Sequence, residues 1–420
     1  MYNHEDQYVC VMFPYPSGNG LHIGHYYNYA IVDSLCKWKR FQGETVFQPF
    51  GYDAFGLPAE NYAKKVGRDP SEVTKENIDN FRMQMQHMNT NYVEQFSTTD
   101  ESYQKWTKWL FCQMLDRGIA YKKFGAVNWC QSCQTVLANE QVVDDHCERC
   151  ATSIITKDLD QWYFKITDYK QRLIDNLDTI DYPESTKKQQ RKWLENLTDW
   201  CVSRQRAWGC AIPVKGETDT LDTFVDSSFY YLRYLTDSSQ EFLPQDRYKQ
   251  VDLYVGGGEH ACMHLIYTRF VHMFLYDIGI VPVEEPFKKV IHQGMITKDG
   301  AKMSKSKGNV VDPSIYCSDA LRLYLMFLGP YIQGGDWNDQ SIRGTEKFLK
   351  RMQVWLSDPG DINVPVTDLV TNINGHIEKL KVNLIVSDLM KFYNSNKHHK
   401  PKNNHEIEKI LQVFAPGFKV

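Results

Sequence analysis

Apolar and polar residues follow one another along the first fifty positions with a period that changes twice. Residues 8–14, Tyr-Val-Cys-Val-Met-Phe-Pro, form a short β-rich run closed by proline, the pattern of a buried strand. A turn cluster, Tyr15-Pro-Ser-Gly-Asn-Gly20, comes next. From about Gly24 to Arg40 the apolar positions Tyr26, Tyr29, Ala30, Ile31, Leu35 and Trp38 recur at helical spacing. Residues 45–50 then read as a second strand. Strand, helix, strand is how a doubly wound parallel sheet begins, with its ligands beyond the carboxyl ends of the strands. Residues 72–117 are expected to be mostly helical, and residues 158–193 helical after a short strand. The sheet pattern returns in Asp252-Leu-Tyr-Val-Gly-Gly-Gly258, a strand running into a glycine turn, followed by an apolar helix near 260–275 and a strand at Lys288-Lys-Val-Ile-His292. From about Ser341 onward only helices are expected. This order predicts an α/β nucleotide fold split by an insertion and followed by a helical tail.

Charge and cysteine usage narrow the picture. The 48 basic and 52 acidic residues give a net charge of −4, which excludes a protein that coats nucleic acid by charge alone but leaves room for a local basic patch. No run of 18 apolar residues occurs, so no membrane span or membrane partner is expected. The first residues lack the basic and apolar regions of a signal peptide, and a cytoplasmic location is expected. Seven of the eleven cysteines are scattered, and an odd total argues against a disulfide framework. The other four are spaced Cys130-x2-Cys133-x13-Cys147-x2-Cys150. Two such knuckles supply four thiolates to one tetrahedral Zn2+ and leave no open position, which predicts a structural site. His146, beside Cys147, is a spare candidate ligand.

Two short motifs carry candidate chemistry. His22-Ile-Gly-His25 falls where the first helix should begin, so both imidazoles share a face on which free backbone N–H groups already attract phosphate. Gly18, Gly20 and Gly24 would let backbone and nucleotide approach closely. Lys302-Met-Ser-Lys-Ser306, continuing Lys307-Gly-Asn309, is a basic loop suited to neutralising a triphosphate.

Found together and in this order, the two motifs resemble the paired signatures of class I aminoacyl-tRNA synthetases. Five further stretches resemble the leucyl-tRNA synthetases of bacterial type: Met12-Phe-Pro-Tyr-Pro-Ser-Gly18, Gly51-Tyr-Asp-Ala-Phe-Gly-Leu-Pro-Ala-Glu60, Trp200-Cys-Val-Ser-Arg-Gln-Arg-Ala-Trp-Gly209, Glu217-Thr-Asp-Thr-Leu-Asp-Thr-Phe224 and Gly257-Gly-Glu-His-Ala-Cys-Met-His264. The resemblance runs from about residue 8 to about 350. It implies a Rossmann-like catalytic domain that uses ATP with Mg2+ to activate L-leucine to leucyl-adenylate, then transfers leucine to the 3′ end of tRNA(Leu). By the same resemblance His22 and His25 stabilise the α-phosphate, while Lys302 and Lys305 contact the departing pyrophosphate. Gly20 and Gly24 border the ATP, Gly257 and Glu259 hold its ribose, and Gln293 and Met295 flank the nucleotide. Asp53 takes the substrate ammonium. The leucine side chain sits among Phe13, Tyr15, Phe224, Ser227, Tyr230, Tyr254, His260 and His264, a mostly apolar cup. The implied divisions are a first catalytic half (1–120), a zinc ribbon (121–157), a connective remnant (158–216), a second catalytic half (217–300), the lysine loop with its stem-contact region (301–340) and a shortened helical bundle (341–420).

Several parts of the family pattern are absent. Only six residues, 194–199, separate Trp193 from Trp200, where leucyl enzymes usually carry a large hydrolytic editing domain, and six residues cannot enclose a second active site. Synthesis without editing is therefore expected. Discrimination is left to the synthetic pocket, where one methylene is worth about 1–3 kcal/mol; activation of norvaline, isoleucine or methionine should be measurable. Only residues 296–301 separate Met295 from the lysine loop, so the leucine-specific insert of many relatives is also missing. Residues 341–420 hold 12 basic and 8 acidic side chains, against 36 and 44 in the rest, and a helical bundle that grips tRNA is expected there, most basic at 391–402. No counterpart of the additional C-terminal tRNA-binding domain of relatives is expected. Intact activation motifs beside reduced tRNA-binding equipment leave the leucyl acceptor open between tRNA and a carrier protein, peptide or small amine. A non-enzymatic leucine-binding protein is the third reading, and retention of His22, His25, Lys302 and Lys305 counts against it. A monomer is expected.

Overall fold

Four parallel strands organise the catalytic part: β1 (Gln7–Val11), β2 (Val46–Phe47), β3 (Leu253–Gly257) and β4 (Val290–Gln293), in the order β4–β3–β1–β2. The computed structural model describes residues 3–16, 20–137, 141–147, 150–236, 240–303 and 308–420. From β1 the chain passes through helix α1 (Ile23–Phe41) to β2 on one side; from β3 it passes through α2 (His264–Asp277) to β4 on the other. The order thus reverses between β1 and β3, and the crevice beyond the carboxyl ends at such a switch point is where open α/β sheets bind their ligands. The α/β nucleotide fold expected from the pattern is present. Residues 8–11 and 254–255 are buried, which explains why both runs read as continuously apolar.

One local expectation holds with an addition and one needs correction. The stretch 72–117 is mostly helical, in Pro70–His87 and Glu101–Asp116, but these flank a strand, Val93–Ser97, that pairs in parallel with Pro49–Tyr52. Val93, Glu94 and Gln95 face solvent, so this strand has little apolar signal and owes its form to its partner. The strand expected to be short before 165 spans Ile155–Phe164 and pairs in antiparallel register with Ala120–Cys130 over ten positions. Its outer half, with Lys157 and Asp158 exposed, reads as polar coil. This ribbon carries the cysteine cluster at its far end, and Trp200–Cys201 closes its near edge.

From residue 341 onward the chain is helical, in α4 (Ile342–Leu356), α5 (Thr367–Glu378), α6 (Val382–Asn396) and α7 (Asn404–Phe414); α3 (Ser318–Phe327) leads into them. One apolar core runs from α1 through α3 into this bundle. Trp38 of α1 stacks on Phe414, centroids 5.7 Å apart, and its indole N–H donates to Asn374 Oδ1 at 2.7 Å. Arg322 of α3 is buried and clamps α1: its guanidinium reaches the Asp33 carboxylate, the Ala30 carbonyl and Ser34 at 2.8–2.9 Å and the Met88 carbonyl at 2.6 Å. Burial alone would raise the Asp33 carboxyl, but Arg322 and Lys37 outweigh it and hold it below the usual carboxylate range. No helix among the described residues is long and apolar enough to cross a membrane.

Candidate active site at the sheet switch point

Past the end of β1, α1 opens on His22. Its Nδ1 accepts from the Gly24 N–H at 3.0 Å, and His25 Nδ1 accepts from the His22 N–H at 3.2 Å. This is a capping box made of two imidazoles, where hydroxyl and carboxylate side chains usually serve. With both Nδ1 atoms accepting, each neutral ring carries its proton on Nε2. The rings stack with centroids 4.0 Å apart and planes at 29°. Burial first, and His22 second, hold His25 well below the ordinary imidazole value, so it is neutral at pH 7. A Cβ on Gly24 would lie 2.9 Å from the His22 ring, so the cap depends on this glycine. No acidic residue occupies the first turn, and the positive end of the helix is left to an anion. Gly20 has φ +107°, a conformation natural to glycine. Gly18 and Lys305 lie outside the described residues.

The other wall of the crevice comes from β3 and β4. Met12 donates its N–H to the Val255 carbonyl at 2.8 Å, and its side chain crosses β3 where Gly256 offers no Cβ. Gly257 pairs with Gln293 in register, and Glu259 is exposed beside them. The Gln293 Oε1 atom is buried with no hydrogen-bond partner among the described residues. Met295, half-exposed, begins a strand (Met295–Lys298) that turns back into Ala301–Lys302, with Thr297 opposite Lys302. Lys302 is exposed at the base of the lysine loop.

Asp53 follows strand Pro49–Tyr52, donates its N–H to the Pro14 carbonyl at 3.0 Å and is 1% exposed. Its Oδ1 accepts from Thr223 Oγ1 at 3.0 Å. Burial pushes its carboxyl up to about 8, against hydrogen bonds from Thr223 and Tyr15 and with a further rise from Asp222. Nearby, Phe13 stacks face to face on Tyr230, centroids 3.9 Å apart. Behind them runs a hydrogen-bonded chain: Tyr230 Oη to Tyr254 Oη at 2.8 Å, Tyr254 Oη to His264 Nε2 at 2.6 Å, and His264 Nδ1 to Ser227 Oγ at 3.3 Å. Burial, then His260, lowers His264 to about 3, which keeps it neutral. Phe13 and Phe224 are 8–9% exposed while Ser227, Tyr230 and Tyr254 are at most 1% exposed, so the two phenylalanines are the more accessible and the polar chain is a satisfied layer beneath the surface. Thr223 escaped the sequence reading, although it stands directly before Phe224 in a quoted stretch. Only the fold brings it to Asp53.

Cys130, Cys133, Cys147 and Cys150 place their sulfurs within 4.8 Å of one another. Sulfurs bound to one zinc at about 2.3 Å lie somewhat under 4 Å apart, so the cluster fits that ion. The spare candidate His146 is turned to other partners, its Nδ1 to the Asp144 carbonyl at 2.5 Å and its Nε2 to Ser153 at 3.1 Å. The ribbon is tied to the segment that follows Trp200, where Val136 N–H donates to Gln205, and farther along that segment the Trp208 indole donates to the Ala54 carbonyl next to Asp53.

The family profile of class I tRNA synthetases for isoleucine, leucine, methionine and valine matches residues 2–231, and the methionine profile of that class matches residues 128–346. A leucine–tRNA ligase of Clostridium perfringens is 29% identical over an alignment covering 99% of this chain and 85% of that one. One from Clostridium botulinum is 30% identical, covering 92% and 80%. Among solved structures, a leucyl-tRNA synthetase of Agrobacterium radiobacter in ternary complex with tRNA and LeuAMS has the same fold, with a TM-score of 0.91 at 23% identity and coverage of 99% and 84%. A Mycobacterium tuberculosis methionyl-tRNA synthetase with methionyl-adenylate has a TM-score of 0.77 at 20% identity, covering 98% and 92%.

Proposed function

The chain belongs to the class I aminoacyl-tRNA synthetases and, within them, to the leucine–tRNA ligases, and from that premise we propose that it activates L-leucine with ATP and passes the leucyl group to the 3′ end of tRNA(Leu) without hydrolytic editing. The observation that carries this reading is the arrangement around the exit of β1, where a two-histidine helix cap and the buried Asp53 carboxyl stand on neighbouring segments.

Each group has a task that follows from its setting. Asp53 takes the leucine ammonium, and the Phe13, Tyr15 and Phe224 side of the cup receives the isobutyl group, with Tyr230, Tyr254, Ser227, His260 and His264 supporting it. The leucine carboxylate attacks the α-phosphorus and pyrophosphate leaves, so no serine or cysteine nucleophile is required. His22 and His25 donate from Nε2 to the α-phosphate oxygens as charge develops, a role suited to donors whose orientation the cap already fixes. Gly20 and Gly24 let the nucleotide lie against the helix end. Gly257, Glu259, Gln293 and Met295 border adenosine, with the unpaired Gln293 acceptor available to it. Lys302 and Lys305 offset pyrophosphate charge beside ATP-bound Mg2+. The ribose hydroxyl of the RNA end then attacks the leucyl carbonyl and AMP departs. Four cysteine thiolates would hold a structural Zn2+ that stiffens the ribbon against the Asp53 loop.

The absence of editing is supported by the connection itself. Helix Glu184–Glu195 reaches strand Trp200–Cys201 through four residues, and Asp199 is tied to Tyr121 Oη and Thr167 Oγ1 at 2.6 Å. The alignments with the two leucine–tRNA ligases run over 694 and 654 positions against a chain of 420 residues, so a large part of each relative falls opposite gaps. The test is leucine-dependent exchange of pyrophosphate into ATP together with charging of tRNA and discharge of mischarged tRNA. Exchange and charging without discharge are expected. Exchange without charging would move the acceptor to a carrier protein, peptide or small amine, and absence of exchange would overturn activation itself.

A further inference from the structure

The lysine loop hangs from a very short hairpin. Strand Met295–Lys298 turns back into Ala301–Lys302 through Asp299 and Gly300, whose φ angles are +56° and +70°. Two consecutive positive φ values suit a tight two-residue turn, and Asp-Gly is a usual pair for it. Two residue pairs join the strands, Thr297 with Lys302 and Lys298 with Ala301. A hairpin this small does not hold its own shape in water. The Asn309 side chain donates to the Lys302 carbonyl at 3.3 Å, so the chain re-enters beside the point where it left. Wherever the hairpin points, the lysine loop goes with it.

One downstream strand supports it. Gly334–Trp337 runs parallel to Met295–Lys298 over four residue pairs, so close that a Cβ on Gly334 would lie 2.1 Å from the Met295 carbonyl oxygen. Trp337 is buried, edge-on to Tyr316 and Tyr324, which makes this strand a fixed base. Two carboxylates reach from it to the hairpin. Asp336 Oδ1 accepts from Thr297 Oγ1 at 2.5 Å and from the Gly300 N–H at 3.0 Å. These hydrogen bonds, Thr297 first, hold its carboxyl below the usual carboxylate range. Asp339 accepts from the Trp337 indole at 2.8 Å and pairs with Lys298 at 2.9 Å. Residues paired in register point to the same face of a sheet, so Asp336, Thr297 and Lys302 stand in one row across three strands. We propose that Asp336 is a positioning residue for adenylate formation: by holding the Thr297 hydroxyl and the Gly300 N–H, it fixes the hairpin and so sets where Lys302 meets the triphosphate. This assignment rests on the reading of the chain as a leucine-activating enzyme, and its test separates the two.

The experiment uses the full chain, as parent, Asp336→Ala, Asp336→Asn, Lys302→Ala and a Lys302→Ala/Asp336→Ala double variant. Leucine-dependent pyrophosphate exchange gives kcat/KM for ATP, and calorimetry without ATP gives the Kd for leucine. Asp336→Ala should lower kcat/KM for ATP by about tenfold or more, the scale of a misplaced contact to the reacting groups, and leave the leucine Kd at its parental value. Asp336→Asn keeps an acceptor at Oδ1 and should restore most of the exchange. The double variant should exchange no more slowly than Lys302→Ala alone, because two residues that act through one another do not add. Parental kcat/KM in Asp336→Ala or in Lys302→Ala overturns the proposal. So does an Asp336→Asn variant as slow as Asp336→Ala, a double variant slowed by the product of the single effects, or an equal loss of leucine affinity. If Asp336→Ala does not fold, Thr297→Val, which removes one hydrogen bond to the carboxylate at nearly constant size, takes its place in the same cycle. A parent that exchanges no pyrophosphate overturns the activation reading, and the positioning role falls with it.

Discussion

Leucine binding should expel a proton. Asp53 is buried with its carboxyl near 8, yet an ammonium ligand needs it ionised. One pH unit below that value the empty site is protonated in about nine molecules of ten, and ionising it at pH 7 costs about 1.4 kcal/mol. The sign follows from linkage. A carboxyl raised above its unfolded value of about 3.9 favours the folded protein at low pH, and this contribution is lost as pH rises through about 8. Leucine reverses the loss by supplying the missing cation. Between about pH 6 and pH 8 the KM for leucine in pyrophosphate exchange should therefore fall by nearly tenfold per unit and then level off. Calorimetry at pH 7 in buffers of different ionisation enthalpy should report close to one proton released per leucine bound. Asp53→Asn should abolish both the slope and the release, and should raise the leucine KM by about a hundredfold or more, as expected when one member of a buried charge pair is removed. A KM that stays flat across this range in the parent, or binding with no proton release, would refute the assignment of the ammonium to Asp53.

Three further outcomes are expected. His25→Ala removes one imidazole donor and half of the helix cap, so exchange should slow by more than about tenfold and the unfolding free energy should drop by about 1 kcal/mol; unchanged exchange would remove His25 from the phosphate site. Metal analysis should find one zinc per chain, and stripping it should lower the melting temperature before leucine selectivity changes, whereas a metal-free protein with the parental melting profile would contradict the four-thiolate site. Arg322→Met leaves Asp33 buried with only Lys37 to balance it and should cost about 3–5 kcal/mol in urea unfolding. The contribution of Asp33 is present above its unfolded value near 3.9 and lost as pH falls through its lower folded value, so a loss below about 1 kcal/mol at pH 7 would show the clamp to be idle.

The two signatures and the cysteine spacing were legible in the sequence because each is a local pattern with one good physical use. His22 and His25 had to share a face, and the structure adds only that they cap each other's turn. The sheet was legible where strands are buried on both faces and unreadable where they are not: Val93–Ser97 and the outer half of Ile155–Phe164 alternate charged and exposed residues, and their pairing partners supply what composition withholds. Thr223 lies 170 positions from Asp53 in the chain, so no periodicity could join them.

Helix α1 carries the His22 and His25 imidazoles at one end and, at Trp38, an aromatic plate bolted to Phe414 at the other. At 1.5 Å per residue, its 19 residues make a rod about 28 Å long. With Arg322 gripping it midway, it has no slack to absorb displacement. Any load that tilts the terminal helices is thus delivered, as through a lever arm, to the two rings we propose for the phosphate site.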